Sequence, residues 1–130
     1  MTQEEKELLI KDLSARIPYK VKASYYGTDE EMECTDIIEG IIIENNNVEI
    51  IIGQYGLPIE KVKLYLFPLS SMTEEQKKEY RNIQYKMLLS SQYKMTESHI
   101  LFDWLDARHF DYNGLIPKGL ALDATGLNIY

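Results

Sequence analysis

The segment from Cys34 to Gly56 constrains the fold of this chain more than any other stretch. Its sequence, CTDIIEGIIIENNNVEIIIGQYG, holds eight isoleucines and one valine around three consecutive asparagines. β-Branched side chains fit the pleated surface of a sheet, and asparagine tolerates the left-handed backbone that tight turns require. The segment therefore predicts a β-hairpin with its turn at residues 45–47. Because the isoleucines are nearly continuous, we expect at least part of the hairpin to be covered on both faces.

Helical patterns stand on both sides of this hairpin. Thr2 and Glu5 form a capping box, and apolar residues recur behind it at helical spacing, which predicts a helix over residues 3–16. A second capping box opens residues 73–89 and predicts a second helix there. Residues 97–109 carry apolar side chains on one face and polar side chains on another, which predicts a third helix.

Further strands and one short helix are predicted from weaker patterns. Residues 19–26, YKVKASYY, alternate between apolar and polar side chains, as a half-covered strand does. The stretch from Val62 to Phe67 is bracketed by prolines and favours a strand over a helical turn. Residues 115–121 are compatible with one further short helix behind the stop signal at Asn113 and Gly114.

Together these patterns predict an α+β fold. The expected architecture is an N-terminal helix, an antiparallel sheet of about three to five strands centred on the hairpin, and about two to three C-terminal helices. A chain of 130 residues, 45% of them hydrophobic, has the size and composition of one domain, residues 1–130. We expect Trp104, Leu105, Phe110 and the hairpin isoleucines to lie in the core.

Acidic residues dominate one part of the chain. Between Ala23 and Glu60 there are nine carboxylates and neither lysine nor arginine, within a net charge of −7. Binding to a phosphate backbone needs clustered basic side chains, so we expect no direct nucleic-acid binding. The same region is compatible with a negative surface that attracts a basic partner protein, although solvated strand faces and a loop can also be acidic without such a role. Its candidate binding residues are Asp29, Glu30, Glu31 and Glu33, to which the tyrosine content adds Tyr112.

The location of the protein is predicted from what the sequence lacks. The single cysteine, Cys34, cannot form an internal disulfide, which favours a reducing compartment. The first residues, MTQEEKELL, are acidic where a signal peptide would be basic, and no window approaches the roughly 20 apolar residues of a membrane helix. We therefore expect a cytoplasmic protein without a membrane span. No motif indicates a cofactor or a metal.

Residues 109–126, HFDYNGLIPKGLALDATG, raise the question of a ligand loop. The glycines at 114 and 119 match the spacing of a phosphate-binding loop, G-x-x-x-x-G. That loop continues with Lys and Ser or Thr, which contact the phosphates and Mg²⁺, but here Leu120 and Ala121 follow. We therefore interpret the stretch as the closing segment of the fold.

An alternative site is predicted beside this segment. His99 and Asp103 are four residues apart on the third predicted helix, and Asp106 follows three residues later. An imidazole and carboxylates on one helix face can do acid and base work, although a charged stripe is also how a solvated face looks. Together with His109 these residues are the candidates for a small enzyme or ligand-binding domain.

Three stretches resemble one family of small acidic proteins that prophages and other mobile elements of gut bacteria encode. They are VKLYLFPLSSMTEEQKKEY at 62–80, FDWLDARHFDYNGLIPKGLALDATGLNIY at 102–130, and the opening MTQEEKELLIKDLSARIPYKVK. The resemblance implies a small single-domain protein at work in a bacterial cytoplasm, and it carries over no catalytic or binding residue. The sequence thus favours a non-enzymatic interaction module with an acidic surface, and the enzyme or ligand-binding domain stays as the alternative.

Overall fold

The computed structural model describes residues 1–26, 32–89 and 98–130. Helix α1 is Gln3–Arg16, α2 is Glu74–Leu89 and α3 is Ser98–Ala107. The strands are β1 Lys22–Tyr26, β2 Glu33–Glu44, β3 Asn47–Ile52, β4 Tyr55–Pro58, β5 Val62–Pro68, β6 Phe110–Asp111 and β7 Ala121–Asp123. The order of helices and strands confirms the predicted α+β class.

The local signals predicted the first helix and its cap correctly. The Thr2 hydroxyl accepts a hydrogen bond from the Glu5 backbone N–H at 3.1 Å, and the Glu5 carboxylate accepts one from the Thr2 backbone at 2.9 Å. Thr73 and Gln76 make the same reciprocal pair before α2. Because each cap satisfies backbone donors that a helix start leaves unpaired, both helices begin where the sequence predicts.

The predicted hairpin is the pair β2 and β3, with its turn at Asn45 and Asn46. Both asparagines adopt positive φ angles, +46° and +71°, as the two central residues of a tight hairpin turn require. The ladder runs from Glu44 opposite Asn47 to Ile38 opposite Ile52, with one extra residue, Glu39, as a β-bulge. Strand β4 then pairs with β3 after a second short turn.

The sheet is larger than predicted and it is mixed, so the prediction of an antiparallel sheet of three to five strands is wrong in both respects. Seven strands pair in the order β4-β3-β2-β1-β5-β6, with β7 also paired to β5. Strands β6 and β7 run parallel to β5, and all other pairs are antiparallel. The two parallel strands have only two and three residues, which is too short for any alternating pattern to appear in the sequence.

Two other local predictions are corrected. The predicted short helix at 115–121 is absent, because Gly114 and Gly119 adopt positive φ angles and the chain makes turns that lead into β7. The third helix ends at Ala107 rather than at residue 109. His109 lies beyond it with a φ of +63°, a left-handed conformation that ends the helical path.

Helix α1 contributes Leu9 and Leu13 to the main core. They belong to one cluster with buried residues of β1, β2, β3 and β5, namely Ala23, Tyr25, Ile38, Ile50, Ile52, Leu64 and Leu66. A smaller cluster of Met72, Leu105 and Phe110 packs against Tyr80 of α2 and against Leu101 and Trp104 of α3. The core prediction is confirmed for Leu105, Phe110 and the three isoleucines just named, whereas Trp104 is only half-buried and Ile42 and Ile43 are exposed.

The hairpin supplies a matched pair of variants that tests this division. Ile50 is fully buried, whereas Ile42, on the partner strand, is 43% exposed. We expect Ile50→Ala to lower the free energy of unfolding by about 2–5 kcal/mol, because it removes core contacts and leaves a cavity. Ile42→Ala should cost less than about 1 kcal/mol. Urea unfolding followed by circular dichroism measures both, and equal losses would contradict the assignment of the core face.

Candidate functional site

The predicted acidic binding residues are only partly within the described structure. Asp29, Glu30 and Glu31 lie outside the described residues. Glu33 is exposed at the start of β2, and its carboxylate accepts hydrogen bonds from the Ser24 and Tyr65 hydroxyls. Glu33 is therefore held in place by its neighbours in the sheet.

Three further carboxylates form what we call the acidic hairpin surface: Glu39, Glu44 and Glu49. All three are exposed on β2 and β3. None of them forms an ion pair with another residue of the described ranges, in contrast to Glu60, which pairs with Lys6 at 2.8 Å. Ile42 and Ile43 lie between Glu39 and Glu44 and are 43% and 59% exposed. Because successive side chains of a strand point to opposite faces, Ile42 shares a face with Glu44 and with Glu49, its register partner, whereas Ile43 lies on the other face. The hairpin therefore carries uncompensated negative charge beside an accessible apolar side chain.

A groove of about 630 Å³ opens along β1 and β5. Ser24, Tyr26 and Glu33 line it from β1 and β2, and Lys61 and Lys63 line it from β5 and the turn before it. Glu60 also lines the groove, so two carboxylates and two lysines lie along it and it carries charges of both signs. A smaller cleft of about 260 Å³ lies between the chain start and Gly119.

The four residues of the alternative site divide between the surface and the interior. His99 and Asp103 are exposed on α3, whereas Asp106 and His109 are buried. None of the four lines the two clefts just described. The described part of the chain also contains no group of three or more His, Cys, Asp or Glu side chains placed to hold a metal ion.

A buried polar cluster, which the sequence reasoning missed, surrounds Arg16. Its Nε and Nη2 atoms donate to the two carboxylate oxygens of Asp12 at 2.7 and 3.0 Å, and Nη2 also donates to the Phe110 carbonyl at 2.7 Å. The third nitrogen, Nη1, lies 3.8 Å from Asp106. Asp12 and Arg16 are four apart beside Leu9 and Leu13, so their position on the core face of α1 was a signal that the sequence contained.

Tyr112 belongs to this cluster rather than to an exposed surface. Its hydroxyl donates to Asp106 at 2.6 Å, and its ring lies 4.9 Å from the Arg16 guanidinium carbon. Burial, followed by the Asp106 hydrogen bond, raises the pKa of Tyr112 well above its ordinary value. Burial likewise raises the pKa of Asp106. Both groups therefore hold their protons more firmly than they would in water.

His109 lies beside the cluster, under the end of the chain. Its ring stacks on the Tyr130 ring with centroids 3.6 Å apart, and its Nδ1 is buried without a hydrogen-bond partner. Burial, with the nearby charges of Arg16 and Lys22, lowers the pKa of His109 from 6.5 to about 4. The imidazole is therefore neutral at neutral pH.

Tyr130 closes the sheet at the point where β1 and β5 separate. Its hydroxyl accepts from the Lys22 backbone N–H at 2.7 Å and donates to the Tyr65 carbonyl at 2.8 Å. The last direct pair of the two strands is Ala23 with Leu64, so the hydroxyl bridges the next position. The Tyr130 hydroxyl therefore continues the hydrogen bonding between β1 and β5 by one position.

The segment at 109–126 is held by hydrogen bonds within the segment and by contacts with the main core. The Asp111 carboxylate accepts hydrogen bonds from the Leu115 and Ile116 backbone N–H groups at 2.8 and 2.9 Å. The donors that a phosphate loop would present to a ligand are thus occupied at the start of the glycine-spaced stretch. Leu115 and Leu120 are buried in the main core.

Comparison of the chain with protein-family models, with curated proteins and with solved structures finds no match. Among the described helices, none combines the length and the apolar character needed to cross a membrane. The function is therefore inferred from the geometry of this chain.

Removal of Arg16 tests the buried cluster. We expect Arg16→Ala to lower the free energy of unfolding by about 3–5 kcal/mol, because Asp12 and Asp106 would remain buried without their cation. Arg81→Ala is the matched control, since Arg81 is exposed on α2, and it should change stability by less than about 0.5 kcal/mol. Denaturant unfolding measures both; a loss below about 1 kcal/mol for Arg16→Ala would contradict the importance of the cluster.

The lowered pKa of His109 has a consequence for stability at acid pH. The unfolded chain takes up a proton on this imidazole near pH 6.5, and the folded chain does so only near pH 4. The free energy of unfolding should therefore fall as the pH drops from about 6.5 to about 4. His109→Asn keeps a residue that tolerates the positive φ and removes the proton site. Denaturant unfolding across this range measures the free energy of unfolding of wild type and variant. The value for wild type should fall relative to that of the variant as the pH drops, and a constant difference between them would refute the lowered pKa of His109.

Proposed function

We propose that this protein is a non-enzymatic interaction module that binds a basic region of a partner protein through the acidic hairpin surface. In keeping with the resemblance of its terminal segments to mobile-element proteins, the partner would be a bacterial or element-encoded protein met in the cytoplasm. The observation that carries the proposal is the set of three exposed carboxylates, Glu39, Glu44 and Glu49, without compensating cations in the described chain.

Charge and apolar contact have different roles in such a surface. Uncompensated charges of one sign speed the encounter with a partner of the opposite sign and exclude like-charged partners. The exposed side chain of Ile42, on the same face as Glu44 and Glu49, supplies apolar area that becomes buried when a partner docks there. Because Ala23 to Glu60 contains neither lysine nor arginine, the negative potential of the hairpin is not cancelled along its own segment.

The alternative, an enzyme or ligand site at His99, Asp103, Asp106 and His109, has weaker support. The two exposed members lie on α3, whereas the two buried members contact Arg16, Tyr112 or Tyr130 inside the fold. A general acid or base must come within hydrogen-bond distance of its substrate. Asp106 and His109 meet other side chains of this chain instead.

A charge-reversal experiment tests the proposal. The triple variant Glu39→Lys, Glu44→Lys, Glu49→Lys should lose capture of partner proteins from nuclease-treated bacterial lysate, because the surface would then repel basic partners. The control, Glu7→Lys with Glu75→Lys, reverses exposed carboxylates on α1 and α2 and should retain it. Quantitative mass spectrometry at two salt concentrations is the readout.

Equal capture by the wild type and the triple variant would refute the acidic surface as the binding site. Capture that occurs in untreated lysate and is lost in nuclease-treated lysate would show that nucleic acid mediates the binding, contrary to our expectation. Far-UV circular dichroism of each variant confirms that the sheet is retained.

A further inference from the structure

Strand β2 changes partner half-way along its length. Residues 33–37 pair with β1, and residues 38–44 pair with β3 on the opposite side. Ile38 makes the last backbone contact on the β1 side, donating to the Val21 carbonyl at 2.9 Å. Beyond it, residues 39–44 have no strand on that side among the described residues, and we call them the open edge.

The open edge has backbone groups and side chains that a further strand can use. In a strand with one neighbouring strand, the N–H and C=O groups of every second residue point away from that neighbour. A row of such unpaired groups is a template for another strand. Natural proteins commonly protect such edges with a bulge or with charges. Here the bulge residue Glu39 and the final Glu44 stand only at the two ends, and three consecutive isoleucines lie between them.

The charges of the open edge decide what can pair with it. A second copy of this chain, paired edge to edge over residues 39–44, would place carboxylates together in either direction. In antiparallel pairing Glu39 would face Glu44, and in parallel pairing each would adjoin its own copy, so both arrangements bring like charges together. An extended segment with a lysine or arginine at each end would instead meet a carboxylate at both positions.

We infer that the open edge binds an extended basic segment of a partner protein as an added β-strand. The segment would carry Lys or Arg about five residues apart, a span of about 17 Å in a strand, with β-branched residues between them. Backbone hydrogen bonds would supply the pairing, and the two carboxylates would select the charge pattern. The inference rests on the proposed function and specifies its partner class and its mode of binding.

Synthetic hexapeptides blocked at both ends test the inference. The first probe has Lys at both ends with alternating Val and Thr between them, and the second has Glu at both ends. By fluorescence anisotropy the Lys peptide should bind at least about tenfold more tightly than the Glu peptide. In Glu39→Lys, Glu44→Lys the preference should reverse. Glu75→Lys, a change on α2 outside the acidic hairpin surface, should preserve it.

Two N-methylated versions of the Lys peptide test strand addition separately from charge. One version carries methyl groups on the odd-numbered amide nitrogens, and the other carries them on the even-numbered ones. An added strand uses only one edge of the peptide, so one version should lose binding by at least about tenfold and the other should retain it. Amide hydrogen exchange of residues 39–44 should slow when the unmodified peptide is bound.

The outcomes separate the two proposals. Absence of binding, equal binding of the two methylated peptides, or a Lys preference that persists in Glu39→Lys, Glu44→Lys would overturn strand addition at the open edge. If the triple variant nevertheless loses its captured proteins, the acidic hairpin surface stands and only the mode of binding is wrong. If capture is also unchanged, the proposed function falls as well.

Discussion

The contacts of Arg16 join the first helix to the last third of the chain, and the position of the C-terminal segment depends on them. The guanidinium is fully buried and holds Asp12 of its own helix, the carbonyl of Phe110 and, at longer range, Asp106. One cation thus faces two buried carboxylates. Burial raises the pKa of Asp106, whereas the hydrogen bond from Tyr112 and the charge of Arg16 act in the opposite direction. Since a buried charge tolerates few alternative geometries, the cluster fixes α1 against the chain that follows α3.

The side chains of this interior arrangement are engaged within the fold, so the proposed function is assigned to the surface. The polar groups with the largest shifts in pKa, Tyr112 and His109, are engaged with other side chains within the fold. Shifted pKa values often mark catalytic groups, but buried structural networks produce them too. The carboxylates of the acidic hairpin surface are exposed, and no described cation pairs with them. In the proposed function, these carboxylates are the groups that a basic partner would meet.

The sequence predicted the parts of the fold that depend on local chemistry. The two capping boxes, the Asn turn and β5 follow from neighbouring residues, and their positions agree with the structure. Strands β6 and β7 depend on pairing with β5, which is distant in sequence. No local pattern therefore predicts them. The candidate site divides in the same way. The sequence shows that Glu39 and Glu44 are acidic, but their place on an open edge depends on where β1 stops pairing with β2. The role of Arg16 depends on Phe110 and Asp106, at the other end of the chain.

The way in which β2 divides its pairing also bears on how the chain reaches this structure. Strands β2, β3 and β4 are consecutive and are joined by short turns, so their contacts close small loops. Strand β5 instead gathers β1, β6 and β7 from distant parts of the chain, and each of these contacts closes a long loop at a higher cost in entropy. We therefore expect the three-strand meander to form first and the strands around β5 to assemble later. For a time the newly formed meander exposes the isoleucines that Leu9 and Leu13 will cover, and the rate at which α1 docks determines how long those side chains are open to aggregation.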